Sequence, residues 1–112
     1  MFLRNNLMIS ATLLTLCSSG VAAQEQGDVS AGLKYAKSVC AECHGVEARD
    51  KASPDDKAPT FKAISNTSAM TGRALAVWLQ SPHPSMPQII VPPEKRDDVI
   101  AYILSLNDKQ QK

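Results

Sequence analysis

The sequence has little of three things: charge of one sign, long hydrophobic runs and cysteine. Its 12 lysine and arginine residues nearly balance its 11 acidic ones, and no polybasic run occurs. Because nucleic-acid-binding proteins carry a basic patch or stripe, this balance argues against a nucleic acid as partner. The chain also has no repeat and no low-complexity tract, and it shows no candidate nucleophile, acid–base pair or phosphate-binding loop. We therefore expect no enzyme active site.

The longest apolar run lies near the N-terminus, at residues 7–17, and is too short to cross a membrane. A transmembrane helix needs about 20 apolar residues, and three hydroxyl residues interrupt this run. Arg4 precedes the run and small residues ending in Ala23 follow it, which is the layout of a secretory signal. We predict a signal peptide over residues 1–23, cleaved after Ala23, and export of residues 24–112 to the periplasm as one small domain. An uncleaved membrane anchor is the alternative.

The cysteines are few, and their positions are informative. Cys17 lies in the predicted signal, so the exported chain keeps only Cys40 and Cys43. Exported cysteine pairs usually form disulfides, but these two are too close in sequence to cross-link a fold. His44 follows at once and completes the C-x-x-C-H signature of c-type haem attachment, in which each thiol forms a thioether bond with a haem vinyl group. We expect one haem c, bound covalently through Cys40 and Cys43, with His44 as the proximal ligand of its iron.

Two other uses of these residues stay open on the sequence alone. A thiol–disulfide oxidoreductase would use the two cysteines, but its motif belongs near a strand–helix–strand pattern, which this sequence lacks. A zinc site would combine the cysteines with His44 and His83. Adjacent residues such as Cys43 and His44 rarely bind one metal together, and zinc ligands are usually spaced more widely. Haem attachment accounts for the motif better than either alternative.

Three helices are predicted around the motif. The first follows the N-cap residue Asp28, runs over residues 29–39 with apolar residues on one face, and delivers Cys40 at its end. The second runs over residues 71–80. The last runs over residues 93–106 and opens with proline and an acidic residue in its first turn.

Other stretches are predicted from composition. Gly32 lies inside the first helix, where glycine costs about 1 kcal/mol relative to alanine. Close passage of another helix would explain it, and a tolerated surface glycine is the alternative.

In the second helix, Leu75 and either Trp78 or Leu79 should face inward. Residues 47–57 are polar and charged, which predicts a solvent-exposed loop and no site.

Further residues follow the motif in an order that resembles the class I (mitochondrial-type) c-type cytochromes. The resemblance covers roughly residues 28–106 and implies an all-α fold, with three to four helices wrapped around one covalently attached haem. It also implies that the glycine of the first helix lets the last helix cross it. The residues that carry the resemblance are 40–45, Pro59, Trp78, Met86 with Pro87, and Tyr102.

The resemblance implies roles for two residues outside the motif. The carbonyl of Pro59 would accept a hydrogen bond from the free ring nitrogen of His44, which fixes the imidazole plane and raises its donor strength. The family usually has glycine before this proline and leucine two residues after it, whereas this chain has Ala58 and Phe61, so Pro59 as an ordinary loop proline is the alternative. Trp78 would line the haem pocket and donate its indole N–H to a propionate, with a simple core position as the alternative.

Met86 is the expected sixth ligand of the iron. Two of the four methionines leave with the predicted signal, and Met70 precedes a helix that its own side chain would help to pack. Met86 lies in the proline-rich residues 82–87, which cannot be helical and should form a stiff, extended segment. Its Met–Pro pair resembles the distal ligand of the family. His83 is the rival, and a second imidazole would lower the reduction potential that a thioether raises.

An iron with both axial positions filled has no open site for a substrate. The resemblance therefore implies a monomeric carrier of single electrons that exchanges them through an exposed haem edge. Its donor and acceptor would be redox proteins, such as a membrane-bound respiratory complex or a periplasmic dehydrogenase. The alternatives are a haem-bearing subunit of an oxidase or dehydrogenase complex, and an enzyme whose iron is opened by loss of Met86.

Overall fold

The computed structural model describes residues 27–82, Met86 and residues 89–112. The predicted signal peptide, its cleavage point and the rival ligand His83 lie outside the described residues. The helices are α1 (Val29–Tyr35), α2 (Phe61–Ser65), α3 (Gly72–Gln80) and α4 (Pro93–Ser105), and α1 continues into a π-helical turn over Ala36–Cys40. No strand forms among these residues, which confirms the all-α prediction. None of the helices found in the described part is long and apolar enough to cross a membrane.

The first helix begins as predicted and ends differently. The side chain of Asp28 accepts a hydrogen bond from the backbone N–H of Ala31 at 2.8 Å, so Asp28 is the N-cap. The prediction of one α-helix over residues 29–39 is wrong in its last part, because the backbone widens into the π-helical turn. There the N–H of Ala41 donates to the carbonyl of Ala36, five residues back, at 2.9 Å. Such turns are rare and often mark functional sites, and this one ends on Cys40.

The crossing of α1 and α4 explains the glycine inside α1. A Cβ atom on Gly32 would lie 2.0 Å from the carbonyl oxygen of Asp98 and 2.7 Å from the Cβ of Tyr102. The N–H of Asp28 also donates to the side chain of Asp98 at 2.9 Å, which fixes the start of α1 against α4. The predicted close passage of the last helix is confirmed, and the surface alternative is wrong.

The remaining helices have threonine or proline at their starts. Thr60 and Thr71 accept hydrogen bonds from the third residue beyond them and so cap α2 and α3. In α4, proline occupies the first turn together with Glu94. The inward-facing residue of α3 beside Leu75 is Leu79, whereas Trp78 is 52% exposed.

The core lies where α4 meets the other helices. Tyr102 is buried on α4, and its hydroxyl donates to the backbone carbonyl of Val46, two residues after His44. Its ring lies 6.3 Å from that of Phe61, the first residue of α2. The last helix therefore holds both the segment after the cysteine motif and the helix that follows it. The large buried core residues are Val46, Phe61, Leu75, Leu79, Val91, Val99, Ile100, Tyr102, Ile103, Leu104 and Leu106.

Replacement of Gly32 by alanine should separate the crossing helices. Overpacking of this kind typically costs about 1–3 kcal/mol, and it should outweigh the roughly 1 kcal/mol that alanine gains in helix propensity. Denaturant unfolding of the purified protein measures the effect. The control is Ser30→Ala at an exposed position of the same helix, which should leave stability unchanged or slightly raised. Equal stability of Gly32→Ala and the control would contradict the crossing.

The Tyr102 hydroxyl should make stability depend on pH in the alkaline range. Burial, followed by the charges of Glu47 and Asp50, raises the pKa of Tyr102 above its ordinary value of 10.0. The unfolded chain then loses the phenolic proton first, so the stabilisation is complete below pH 10 and declines as the pH rises towards the folded-state pKa. Tyr102→Phe leaves the Val46 carbonyl without this donor and should cost about 1–3 kcal/mol at pH 7.

Unfolding free energies of both proteins, measured from pH 7 to pH 11, test this dependence. The difference between wild type and Tyr102→Phe should shrink above pH 10. A difference that stays constant across the range would show that the hydroxyl does not stabilise the fold as a proton donor.

Candidate haem site

The attachment motif folds into a tight turn at the end of the π-helical turn. The N–H groups of Cys43 and His44 both donate to the carbonyl of Cys40, at 3.2 and 2.9 Å. Cys40 and Cys43 are free thiols, and each is partly exposed. The local hydrogen bonds therefore bring the two thiols and the imidazole onto one short turn, without a disulfide between the thiols.

His44 is held through one ring nitrogen. Its Nδ1 lies 2.6 Å from the backbone carbonyl oxygen of Pro59. A carbonyl oxygen can only accept, so Nδ1 carries a hydrogen and donates it, and Nε2 is the ring nitrogen whose lone pair can bind a metal. The His44 ring is also tilted against that of Phe61, with centroids 5.4 Å apart. The hydrogen bond implied by the family resemblance is thus present, although Ala58 and Phe61 depart from the family's usual residues, and it leaves Nε2 as the nitrogen available to a metal.

Residues of the loop that follows the motif form hydrogen bonds with the motif's backbone. The sequence of the loop did not indicate this role. The N–H of Gly45 donates to the Ser53 hydroxyl at 2.9 Å, and the N–H of Asp55 donates to the carbonyl of Cys43 at 3.1 Å. The N–H of Phe61 donates to the carbonyl of Gly45 at 2.8 Å. The polar stretch predicted to be a mere solvent loop therefore binds the backbone on both sides of His44. Nothing in the residue spacing pointed to these contacts.

An ion-pair cluster fastens this loop to the π-helical turn. One carboxylate oxygen of Glu47 pairs with Nζ of Lys37 at 2.8 Å, and the other pairs with Nη2 of Arg49 at 2.7 Å. The hydrogen bond from Lys37, followed by the charges of Arg49 and Lys37, lowers the pKa of Glu47 below its ordinary value. Surface pairs of this kind contribute little to stability, so the cluster mainly orients the loop relative to the residues that precede Cys40.

The environment of Cys40 bears on the alternative functions of the cysteines. Burial raises the pKa of the Cys40 thiol to about 11. A redox-active thiol needs a lowered pKa, because the thiolate is the nucleophile, so this environment disfavours thiol–disulfide exchange. Among the described residues, no group of three or more histidine, cysteine or acidic side chains could hold a metal ion. The zinc interpretation also requires His83, which lies outside these residues, so it stays an alternative.

The two remaining predicted site residues lie farther along the chain. Trp78 is half exposed on α3, so its alternative role as a simple core residue is wrong, while its propionate contact stays a prediction. Met86 is partly buried. Met70 packs against the hydrophobic core, as predicted from its place before α3. His83 lies outside the described residues.

The residues present fit a covalently attached haem. Two free thiols lie three residues apart on one turn, and the adjacent His44 has its Nδ1 already hydrogen-bonded to the Pro59 carbonyl. A carbonyl partner of this kind is the usual support of a metal-binding histidine. Trp78 and Ile90, which precede and follow Met86 in the chain, are large apolar side chains that are more than half exposed, and exposed apolar surface of this kind is what a flat apolar macrocycle would cover.

Comparisons with known proteins agree with this site. The sequence profile of the family described as "Cytochrome c" matches residues 29–107. The chain is also 35% identical over 79 residues to cytochrome c-552 of Bradyrhizobium diazoefficiens, a match that covers 70% of this chain and 75% of that protein. No solved structure matches the chain significantly. Since the matched region contains the C-x-x-C-H turn, α1 and α4, the chain belongs to the cytochrome c family, whose cofactor is covalently attached haem c.

Proposed function

We propose that the protein is a carrier of single electrons whose haem is attached through Cys40 and Cys43 and whose iron is bound by His44 and Met86. The single observation that carries the proposal is the hydrogen bond from Nδ1 of His44 to the Pro59 carbonyl, directly beside the two free thiols. Family membership supports the coarser part, a haem protein of electron transfer. The axial pair and the redox partners belong to the proposal.

The chain's own contribution is to hold the proximal imidazole still. The Pro59 carbonyl fixes the tautomer and the plane of the His44 ring, and it increases the electron donation of Nε2. The haem supplies the one-electron chemistry when bound. The hydrogen bonds from the Gly45 N–H to the Ser53 hydroxyl and from the Asp55 N–H to the Cys43 carbonyl restrain the backbone on both sides of the ring. A site that moves little between the two oxidation states exchanges electrons with little reorganisation.

Met86 is the better candidate for the sixth ligand on two grounds. Met70 already packs against the core, whereas Met86 is partly buried in the proline-rich segment between α3 and α4. A stiff segment loses little conformational entropy when a weak thioether bond forms. The soft, neutral sulfur favours ferrous iron and raises the reduction potential.

With both axial positions filled, the iron has no site for substrate, so the protein is proposed to be a carrier and not an enzyme. Its place of work is proposed to be the periplasm, after cleavage behind Ala23, with a membrane-bound respiratory complex or a periplasmic dehydrogenase as donor or acceptor. A haem-bearing subunit of an oxidase or dehydrogenase complex is the second candidate. Membership of an exported family of haem proteins supports the location.

The Met86 assignment is tested by replacing it with alanine and, as a matched control, replacing Met70 with alanine. Wild type should titrate as one reversible one-electron couple and show the charge-transfer band of a sulfur–iron bond. Met86→Ala should lose the band and have a lower potential, because a harder ligand or water replaces the thioether. Met70→Ala should keep the band. Because the Met70 side chain is only partly buried, the variant should lose no more stability than the roughly 2–5 kcal/mol that replacing a core methionine by alanine costs.

Visible spectra and redox titration of the purified haem proteins distinguish the outcomes. A band that persists in Met86→Ala would show that another residue binds the iron. A wild-type spectrum that shifts on adding carbon monoxide at low concentration would instead favour an open iron site and an enzyme.

A further inference from the structure

Val91 lies between Met86 and the start of α4 in the chain. Its side chain is 1% exposed, and both of its backbone groups are bonded to neighbouring helices. The N–H of Val91 donates to the carbonyl of Leu79 in the last turn of α3, at 2.9 Å. The carbonyl of Val91 accepts from Nη2 of Arg96 in α4, at 3.3 Å. Leu79, Val91 and Arg96 are therefore joined at one point, and Val91 lies only five residues after Met86 in the chain.

Arginine at position 96 has a cost to the stability of the fold. Its Nε atom is buried and has no hydrogen-bond partner within the part of the chain that the structure describes. A buried donor without a partner costs free energy, and more so when it belongs to a charged group. An apolar side chain of similar length would avoid this cost. The hydrogen bond that the guanidinium donates to the Val91 carbonyl is the compensating feature.

We propose that Arg96 is a positioning residue for the axial methionine, acting through the Val91 carbonyl. The inference rests on the proposed ligation by Met86. Ordering a backbone costs conformational entropy, and formation of the thioether–iron bond must overcome whatever part of that cost is still unpaid. Because Val91 is fixed to α3 on one side and to Arg96 on the other, part of this ordering is already complete five residues after Met86 before the bond forms.

Arginine and lysine should differ in this role. The guanidinium is a planar group with five donors, and its geometry lets one nitrogen reach a carbonyl while the rest stays packed. An ammonium is a point charge on a flexible stem, and it is more strongly hydrated. Arg96→Lys should therefore restore only part of the contact that Arg96→Met removes.

Cyanide binding to the ferric haem protein measures how often the proposed Met86–iron bond opens. An external ligand can bind only when the sulfur has left the iron, so its apparent affinity is the intrinsic affinity multiplied by the open fraction. Loss of the charged hydrogen bond that holds the Val91 carbonyl should raise that fraction roughly tenfold or more. We expect Arg96→Met to bind cyanide at least about tenfold more tightly than wild type, Arg96→Lys to fall between them, and the exposed control Lys95→Met to match wild type.

Global unfolding in denaturant, followed by far-UV circular dichroism, separates this role from a general loss of stability. A purely structural arginine would lower the unfolding midpoint and leave cyanide affinity in water unchanged, and that result would overturn the proposal. If Arg96→Met does not fold, the shorter Arg96→Gln provides the same measurement with the same two readings.

The Met86→Ala and Arg96→Met variants together separate the positioning role of Arg96 from the ligation by Met86. If Met86→Ala keeps the sulfur–iron band, the ligand is another residue, and the positioning role of Arg96 is overturned with it. If that variant loses the band while Arg96→Met binds cyanide like wild type, the ligation stands and only the role of Arg96 is wrong.

Discussion

The hydrogen bond from His44 to the carbonyl of Pro59 is the contact on which the rest of the site depends. It decides which ring nitrogen carries the proton and therefore which one can bind iron. It also links the attachment turn to the start of α2, fifteen residues later. Because the acceptor is a backbone carbonyl, its position is set by the fold of the chain around Pro59 and not by the proline side chain.

The fold brings that carbonyl to His44 through a short series of contacts that begins at the crossing of α1 and α4. The crossing requires glycine at position 32 and places Tyr102 beside the segment that follows the motif. Tyr102 in turn contacts Phe61, and Phe61 lies against the His44 ring. The last helix is thus connected to His44 through Tyr102 and Phe61. The same helix carries Arg96 towards the distal loop, so both axial sides of the proposed iron site are connected to α4.

Local signals made much of this fold predictable. The C-x-x-C-H spacing is contained in five residues, and the caps at Asp28 and Thr71 are single side chains that bond within their own helices. The close passage at Gly32 was predictable because a glycine inside a helix needs a physical reason. The order of later residues located Pro59 as a partner of His44 through family resemblance.

Other features depend on contacts that a sequence pattern does not contain. The π-helical turn uses the same residue types as an α-helix, and α2 is five residues long, too short to show a periodicity. Leu79 and Trp78 are neighbours on a nine-residue helix, so only packing against α4 decides which faces inward. The hydrogen bonds from Gly45 to Ser53 and from Arg96 to Val91 join residues whose separation in the sequence matches no helical or strand periodicity.

The central claim, a haem bound covalently to the two cysteines, is tested most directly by the mass of the purified protein after denaturation. Under denaturing, reducing conditions, the chain produced in a host that matures c-type cytochromes should retain the added mass of one haem. Replacing both Cys40 and Cys43 by alanine should remove that mass. A wild-type chain that loses all its haem on denaturation would contradict the account.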